Sequence, residues 1–264
     1  MTEKSKVEMT FWDHLTELIK RLRKILYALI ISTIVAMVFP ATLDFSKLSS
    51  ENLFYPTITT LVIFDFEQRF LPEGASLLPL SPFAVLEVYM FISLILGLVI
   101  SSPFISYELY KFLNPALHKP EKKLIFQFVT SFACLFIFGF VLGYFLVVPT
   151  TMRTLFAFSS MLNLTPYYDF AEFYSLIGLT LFICSIVFTF PTYIVMLVKA
   201  GILQTGQLTK YRKYLYGGIL VLIALVDPDP TIITELILFL PIVILMEISI
   251  LIGKRIEKTR EKTN

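Results

Sequence analysis

Charge is what this 264-residue chain has least of. Only 16% of its residues are Asp, Glu, Lys or Arg, against about 25% in an ordinary soluble domain, and 56% are hydrophobic. That balance excludes a water-solvated globule and makes the bilayer the solvent to reason with. Cysteine is nearly absent: Cys134 and Cys184 both lie in apolar runs, where a thiol behaves as a small hydrophobe, so neither a disulfide framework nor a thiolate metal site is expected. The two histidines, His14 and His118, stand alone with no further ligands at zinc spacing. Basic excess is missing too, since 22 Lys and Arg face 20 Asp and Glu, which removes the electrostatic case for a nucleic-acid partner. No H-E-x-x-H, G-x-S-x-G or Gly-x-Gly-Asp occurs, and Leu15-Thr16 separates His14 from Glu17, so no enzyme and no cofactor is predicted. An internal repeat is also lacking, which leaves an inverted-repeat transporter unsupported.

What the chain does have is long apolar runs: Ile25 to Phe39, Val88 to Ser106, Leu124 to Val148, Phe173 to Val198, Leu215 to Val226 and Ile232 to Ile252. A hydrocarbon core about 30 Å thick takes about 20 helical residues, which four runs supply outright. The first qualifies if Leu22 to Ile25 enter the interface. The fifth reaches only about 18 Å and is counted because Asp227-Pro-Asp-Pro230 reads as a hairpin between two apolar runs. The expectation is one integral membrane domain, all-α, with six transmembrane helices (22–40, 87–106, 124–148, 172–198, 214–226 and 231–252) in a kinked concave bundle. Pro103, Pro149, Pro191 and Pro241 are expected to interrupt or end spans two, three, four and six, and Gly139-x-x-x-Gly143 offers a close-packing patch. Residues 40–86, rich in aromatics, suit short interfacial elements capping the bundle.

Lys and Arg settle the expected orientation. Residues 1–24, 107–123, 199–213 and the tail after Ile252 hold 19 of them, whereas the opposite connections hold only Lys47, Arg69 and Arg153. The positive-inside rule then puts both termini in the cytoplasm of a multi-pass protein of the cytoplasmic membrane, with residues 253–264 as a cytoplasmic tail. The first span is not a cleavable signal peptide, because a long segment containing Glu3, Glu8, Asp13 and Glu17 precedes it.

Three constellations stand out. Phe11, Leu15, Leu18, Leu22, Ile25 and Leu29 recur at helical spacing, so residues 1–24 carry an amphipathic helix leading into span one, with Thr10 and Asp13 as a capping box. Trp12 should sit at the interface, and Asp13, Glu17, Lys20, Arg21 and Lys24 toward water. Glu17 then either pairs with Arg21 at i,i+4, worth about 0.2 to 0.5 kcal/mol, or receives a cationic ligand at the membrane surface. The stretch Tyr110 to Lys123 combines Phe112, an Asn114-Pro115 helix start and Lys119-Pro120-Glu121, where Glu121 is favourably placed in a first helical turn, worth about 0.3 to 1 kcal/mol. Glu235 and Glu247 lie within span six, and a carboxylate at depth normally faces a cavity or a partner.

These features together resemble the TatC family, the receptor subunit of the twin-arginine protein translocase. The residues that carry the resemblance are F-W-D-H-L-T-E-L at Phe11 to Leu18, S-P-F at Ser81 to Phe83 and E-V-Y at Glu87 to Tyr89. F-L-N-P-A-L-H-K-P-E-K-K at Phe112 to Lys123, Phe136, Gly139, Tyr144 and Pro149 along span three, D-P-D-P at Asp227 to Pro230 and Met246-Glu247 complete the set. The resemblance implies a signal-peptide receptor in a Sec-independent translocase that exports folded proteins, driven by the proton motive force. Its signal-peptide-binding residues would be Glu17, Glu121 and Phe112. Its partners would be twin-arginine signal peptides, single-span TatA- or TatB-like subunits, membrane lipid and further copies of the chain. Glu247, Glu235 and Thr189 would form an intramembrane polar set where such a subunit docks. Two positions depart from the family pattern: Ile19, where members commonly continue E-L-R, and Thr189, where many carry Glu or Gln. The alternative from another class is an ion-coupled transporter or channel using intramembrane carboxylates.

Overall fold

The computed structural model describes residues 11–41, 55–113, 122–164, 167–226 and 232–261. Eight α-helices dominate it, and the first, α1 (Phe11–Val38), fuses the amphipathic leader and the first span into one 28-residue rod. Neither Gly nor Pro interrupts that stretch, and Pro40 follows its end. Helix α2 (Ile58–Phe70) begins at a reciprocal capping box, in which the Thr60 backbone N–H donates to Thr57 Oγ1 and the Thr57 N–H to Thr60 Oγ1. Strand β1 (Ser76–Leu78) pairs in parallel with β2 (Tyr167–Asp169), joining two distant connections at the same end of the bundle. Interfacial elements were expected between residues 40 and 86; this pairing, which depends on residues about ninety positions apart, was not.

Helix α3 (Ala84–Leu113) corrects two expectations. Pro103 does not interrupt it: the proline removes the N–H that would have met the Val99 carbonyl, and the Ser102 hydroxyl donates to that carbonyl instead at 2.8 Å. The helix also continues seven residues past Ser106, so Tyr107 to Leu113 are helix rather than connection. Pro149 likewise ends nothing. Helix α4 (Lys122–Leu142) passes through a π-helical turn at Gly143–Val147 into α5 (Val148–Met161), and the wider turn absorbs the missing donor at Pro149. Pro191 and Pro241 lie inside α6 (Phe170–Ala200) and α8 (Ile232–Glu261), which also run through them. Helix α7 (Thr205–Val226) carries the short fifth run, but the helix itself starts ten residues earlier, so its 22 residues rise about 33 Å. The Thr10 cap, Asn114-Pro115, Glu121 and the Asp227–Pro230 turn lie outside the described residues.

Among the described residues, four helical stretches, Ala84–Phe112, Phe126–Met161, Phe170–Lys199 and Thr234–Lys258, are long and apolar enough to cross a membrane. Helices α1 and α7 carry Lys20, Arg21, Arg23, Lys24 and Lys210, Arg212, Lys213 in their first halves, which keeps them below that measure. Helix α6 is the most enclosed of the four and packs against α3, α4 and α8. Phe188, Val198, Ile223, Ile242 and Met246 form a core among α6, α7 and α8. Phe66, Phe70, Val88, Tyr174 and Ile177 form a second beneath α2. An aromatic ladder of Tyr110, Phe128, Phe132 and Phe136 lies along α3 and α4, with Tyr193 of α6 edge-on to Phe128 and Phe132.

Candidate binding site where helices α1 and α3 meet

Helices α1 and α3 run antiparallel and touch along most of their length. Their close approach is set at Gly97, where an added Cβ would lie 2.4 Å from Thr33 Oγ1 and 2.9 Å from the Thr33 backbone nitrogen. Ser32 Oγ donates to the Gly97 carbonyl at 2.9 Å in the same contact. With the pair locked there, the start of α1 lies beside the end of α3, and Glu17, Arg21 and Glu108 converge.

Arg21 is the hub. Its Nε and Nη2 both donate to Glu17 Oε1, at 3.1 and 2.5 Å, and its Nη1 donates to Glu108 Oε2 at 2.9 Å. Glu108 is only 3% exposed, and a carboxylate so enclosed is tolerable only when an opposite charge and hydrogen bonds replace its water. Glu17 and Arg21 are partly buried, and Glu17 Oε2 is shielded from solvent with no hydrogen-bond partner. The i,i+4 pair is therefore present, but Glu17 and Arg21 do not point toward water. They turn inward to α3, while Trp12, Leu15, Leu18 and Leu22 on the same helix are exposed. The reason is Glu108: a buried acid on the neighbouring helix draws Arg21 inward, and Arg21 takes Glu17 with it.

Phe112 lies four residues beyond Glu108 on α3, hence on the same helical face, and is partly exposed. Lys111, next to it, sets its Nζ 4.2 Å above the Tyr107 ring. The structure thus brings Glu17 and the Phe112 helix together; Glu121 is outside the described residues. Glu108 escaped sequence reasoning because residues after Ser106 read as a connection. The continuing apolar spacing of Leu109 and Tyr110 was the available signal that the helix, and an acid on its inner face, extended further.

The intramembrane polar set does not form one cluster. Tyr216 of α7 donates its hydroxyl to Glu247 Oε1 at 2.7 Å, and Arg212 Nη1 lies 3.6 Å from the same oxygen. Thr189 is buried and donates to the Ile186 carbonyl of its own helix at 2.7 Å, an internal use that replaces any bond to Glu247. Glu235 lies in the first turn of α8, favourable for an acid at the helix dipole, twelve residues or about 18 Å from Glu247. Near the end of α6, a cavity of about 470 Å³ opens between α4, α6 and α8, lined by Gln127, Phe128, Thr192, Lys199 and Ser249 among others. Lys199 Nζ donates to Gln127 Oε1 there at 2.8 Å. No group of three or more potential metal ligands occurs among the described residues.

Residues 13–241 match the family model described as "Sec-independent protein translocase protein (TatC)". The chain is 31% identical over 239 residues to the Sec-independent protein translocase protein TatC of Aquifex aeolicus, covering 90% of this chain and 94% of that protein. It is 29% identical over 268 residues to the protein of the same name from a Blattabacterium, covering 97% and 98%. Among solved structures, the crystal structure of a twin-arginine translocase receptor TatC in DDM superposes with a TM-score of 0.71 at 29% identity, over 91% of this chain and 99% of that one.

Proposed function

Because the chain belongs to the TatC family of Sec-independent protein translocase proteins, a membrane family whose work is protein transport, we propose that it receives the paired arginines of signal peptides through Glu17, Glu121 and Phe112. The observation that carries this reading is the partly buried Glu17 carboxylate, held beside the Phe112 helix with one oxygen uncommitted. Arginine presents a planar donor fork that a carboxylate accepts bidentately or end-on, and a charge-assisted hydrogen bond contributes about 1.5 to 3 kcal/mol. Lysine offers no such fork, which accounts for a preference for arginine. In this reading the protein crosses the cytoplasmic membrane six times with both termini in the cytoplasm, supported by the 19-to-3 partition of Lys and Arg. TatA- or TatB-like single-span subunits and further copies of the chain complete the complex, since one such bundle is too small to enclose a folded cargo. The Tyr216–Glu247 pair on the exposed side of α7 and α8 is where a single-span helix with a polar residue would dock.

The experiment is binding of a labelled twin-arginine signal peptide to the purified protein in detergent. Glu17→Ala and Glu121→Ala should each weaken it, and the double variant should nearly abolish it while the protein still accumulates in the membrane. Photocrosslinking probes at Glu17, Phe112 and Glu121 should capture the peptide. Unchanged binding by the double variant removes the carboxylate mechanism.

A further inference from the structure

Of Arg21's hydrogen-bond donors, two go to a single oxygen of Glu17 and one to Glu108. An arginine beside one carboxylate ordinarily takes both of its oxygens in a parallel fork. Here the fork is skewed, because Glu108 on the neighbouring helix pulls Nη1 the other way. The consequence is the bare Glu17 Oε2, enclosed and without a partner. The local charge points the same way: two carboxylates and one guanidinium leave a net charge of −1 in a partly desolvated pocket, the complement of one arriving guanidinium. Glu108, 3% exposed and already engaged, is too deep to meet a peptide itself.

We infer that Glu108 is a positioning residue for arginine recognition: by holding Arg21 from the far side, it confines Arg21 to one oxygen of Glu17 and leaves the other without a partner, so that a small turn of the partly exposed Glu17 side chain presents it to a guanidinium of the incoming peptide. Arg21 is thus a resident guanidinium that orients Glu17 without neutralising it. This inference rests on the receptor reading above, in which Glu17 is the acceptor. Removing the Glu108 charge releases Arg21 to swing fully onto Glu17, occupying both oxygens and bringing the pocket to neutrality. Glu17 is then intact in sequence and blocked in space. Removing Arg21 as well clears the blockade and leaves Glu17 a free carboxylate with the original net charge of −1.

The test measures the Kd of a labelled twin-arginine signal peptide for full-length protein in detergent, across Glu108→Gln, the double variant Arg21→Gln/Glu108→Gln and, as a control, Glu17→Gln. Glu108→Gln should weaken binding by about tenfold or more, the size of one lost charge-assisted hydrogen bond. The double variant should recover to within about threefold of the parent, which a purely structural role for Glu108 does not predict. A double variant no better than the single, or a Glu108→Gln protein that binds as the parent does, overturns the inference. If the single variant fails to accumulate, the double variant alone decides: binding near the parent supports the inference and loss of binding overturns it. The control separates the two levels. Loss of binding in Glu17→Gln with full binding in Glu108→Gln removes only the positioning role, whereas full binding in Glu17→Gln removes the receptor reading and this inference with it.

Discussion

Replacing Gly139 by Ala should loosen the contact between helices α4 and α6, and the structure fixes how much. A Cβ at Gly139 would lie 2.6 Å from the Cys184 carbonyl oxygen, 2.9 Å from Phe188 Cβ and 3.0 Å from Ser185 Cα. Two of these atoms are backbone and the third is the first side-chain carbon of a fully buried residue, so none can swing aside. The helices must separate by several tenths of an ångström along a contact where side chains interdigitate, an overpacking cost of about 1 to 3 kcal/mol. Alanine's better helix propensity offsets about 1 kcal/mol of that. Gly217, where a Cβ would meet nothing within 4 Å, supplies the control: Gly217→Ala feels only the propensity gain. The expected gap between the two variants is therefore about 1 to 3 kcal/mol. Cys184 is itself at the contact and 2% exposed, whereas Cys134 is exposed. In a Cys134→Ser background, maleimide labelling of Cys184 in mixed micelles reports opening of this interface. Gly139→Ala should label several-fold faster than Gly217→Ala at equal denaturant. Equal labelling and equal midpoints would refute the claim that close backbone approach at Gly139 holds the two helices together.

Further outcomes follow from other contacts. Tyr144 donates its hydroxyl to Asp65 and lies 4.9 Å beneath the Arg69 guanidinium carbon, so Tyr144→Phe should cost about 1 to 2 kcal/mol and raise proteolysis around α2 while leaving signal-peptide binding unchanged. A membrane-impermeant thiol reagent added to sealed cells should modify a cysteine at Ser76 and spare one at Thr263; the reverse pattern overturns the proposed orientation. Glu247→Ala should impair transport more than signal-peptide binding, and cysteines at the exposed Val221 and Ile244 should crosslink to a single-span subunit. Loss of protein abundance with unaltered crosslinks would instead make the Tyr216–Glu247 bond an internal packing contact. Ile223 is a poor probe for that experiment, being buried at 3% exposure.

The class of this protein was legible in its residues because the bilayer imposes one-dimensional rules. Apolar run length, Lys and Arg counts and helical spacing all read along the chain, and the order of its motifs was enough to reach the TatC family. Glu17 and Phe112 stood out in the same way, as candidate residues in local motifs. What sequence could not decide was every outcome set by a second element. Proline rules hold for an isolated helix, yet Ser102 rescues the Val99 carbonyl and a π turn accommodates Pro149, so neither residue ends its helix. The parallel pairing of Ser76–Leu78 with Tyr167–Asp169 joins segments that no local pattern relates. Above all, helical periodicity placed Glu17 and Arg21 on a face toward water, because it weighs polarity against solvent alone. Tertiary structure put Glu108 opposite them, and a carboxylate buried on a neighbouring helix is costly without an opposite charge, so Arg21 turns inward to meet it at 2.9 Å.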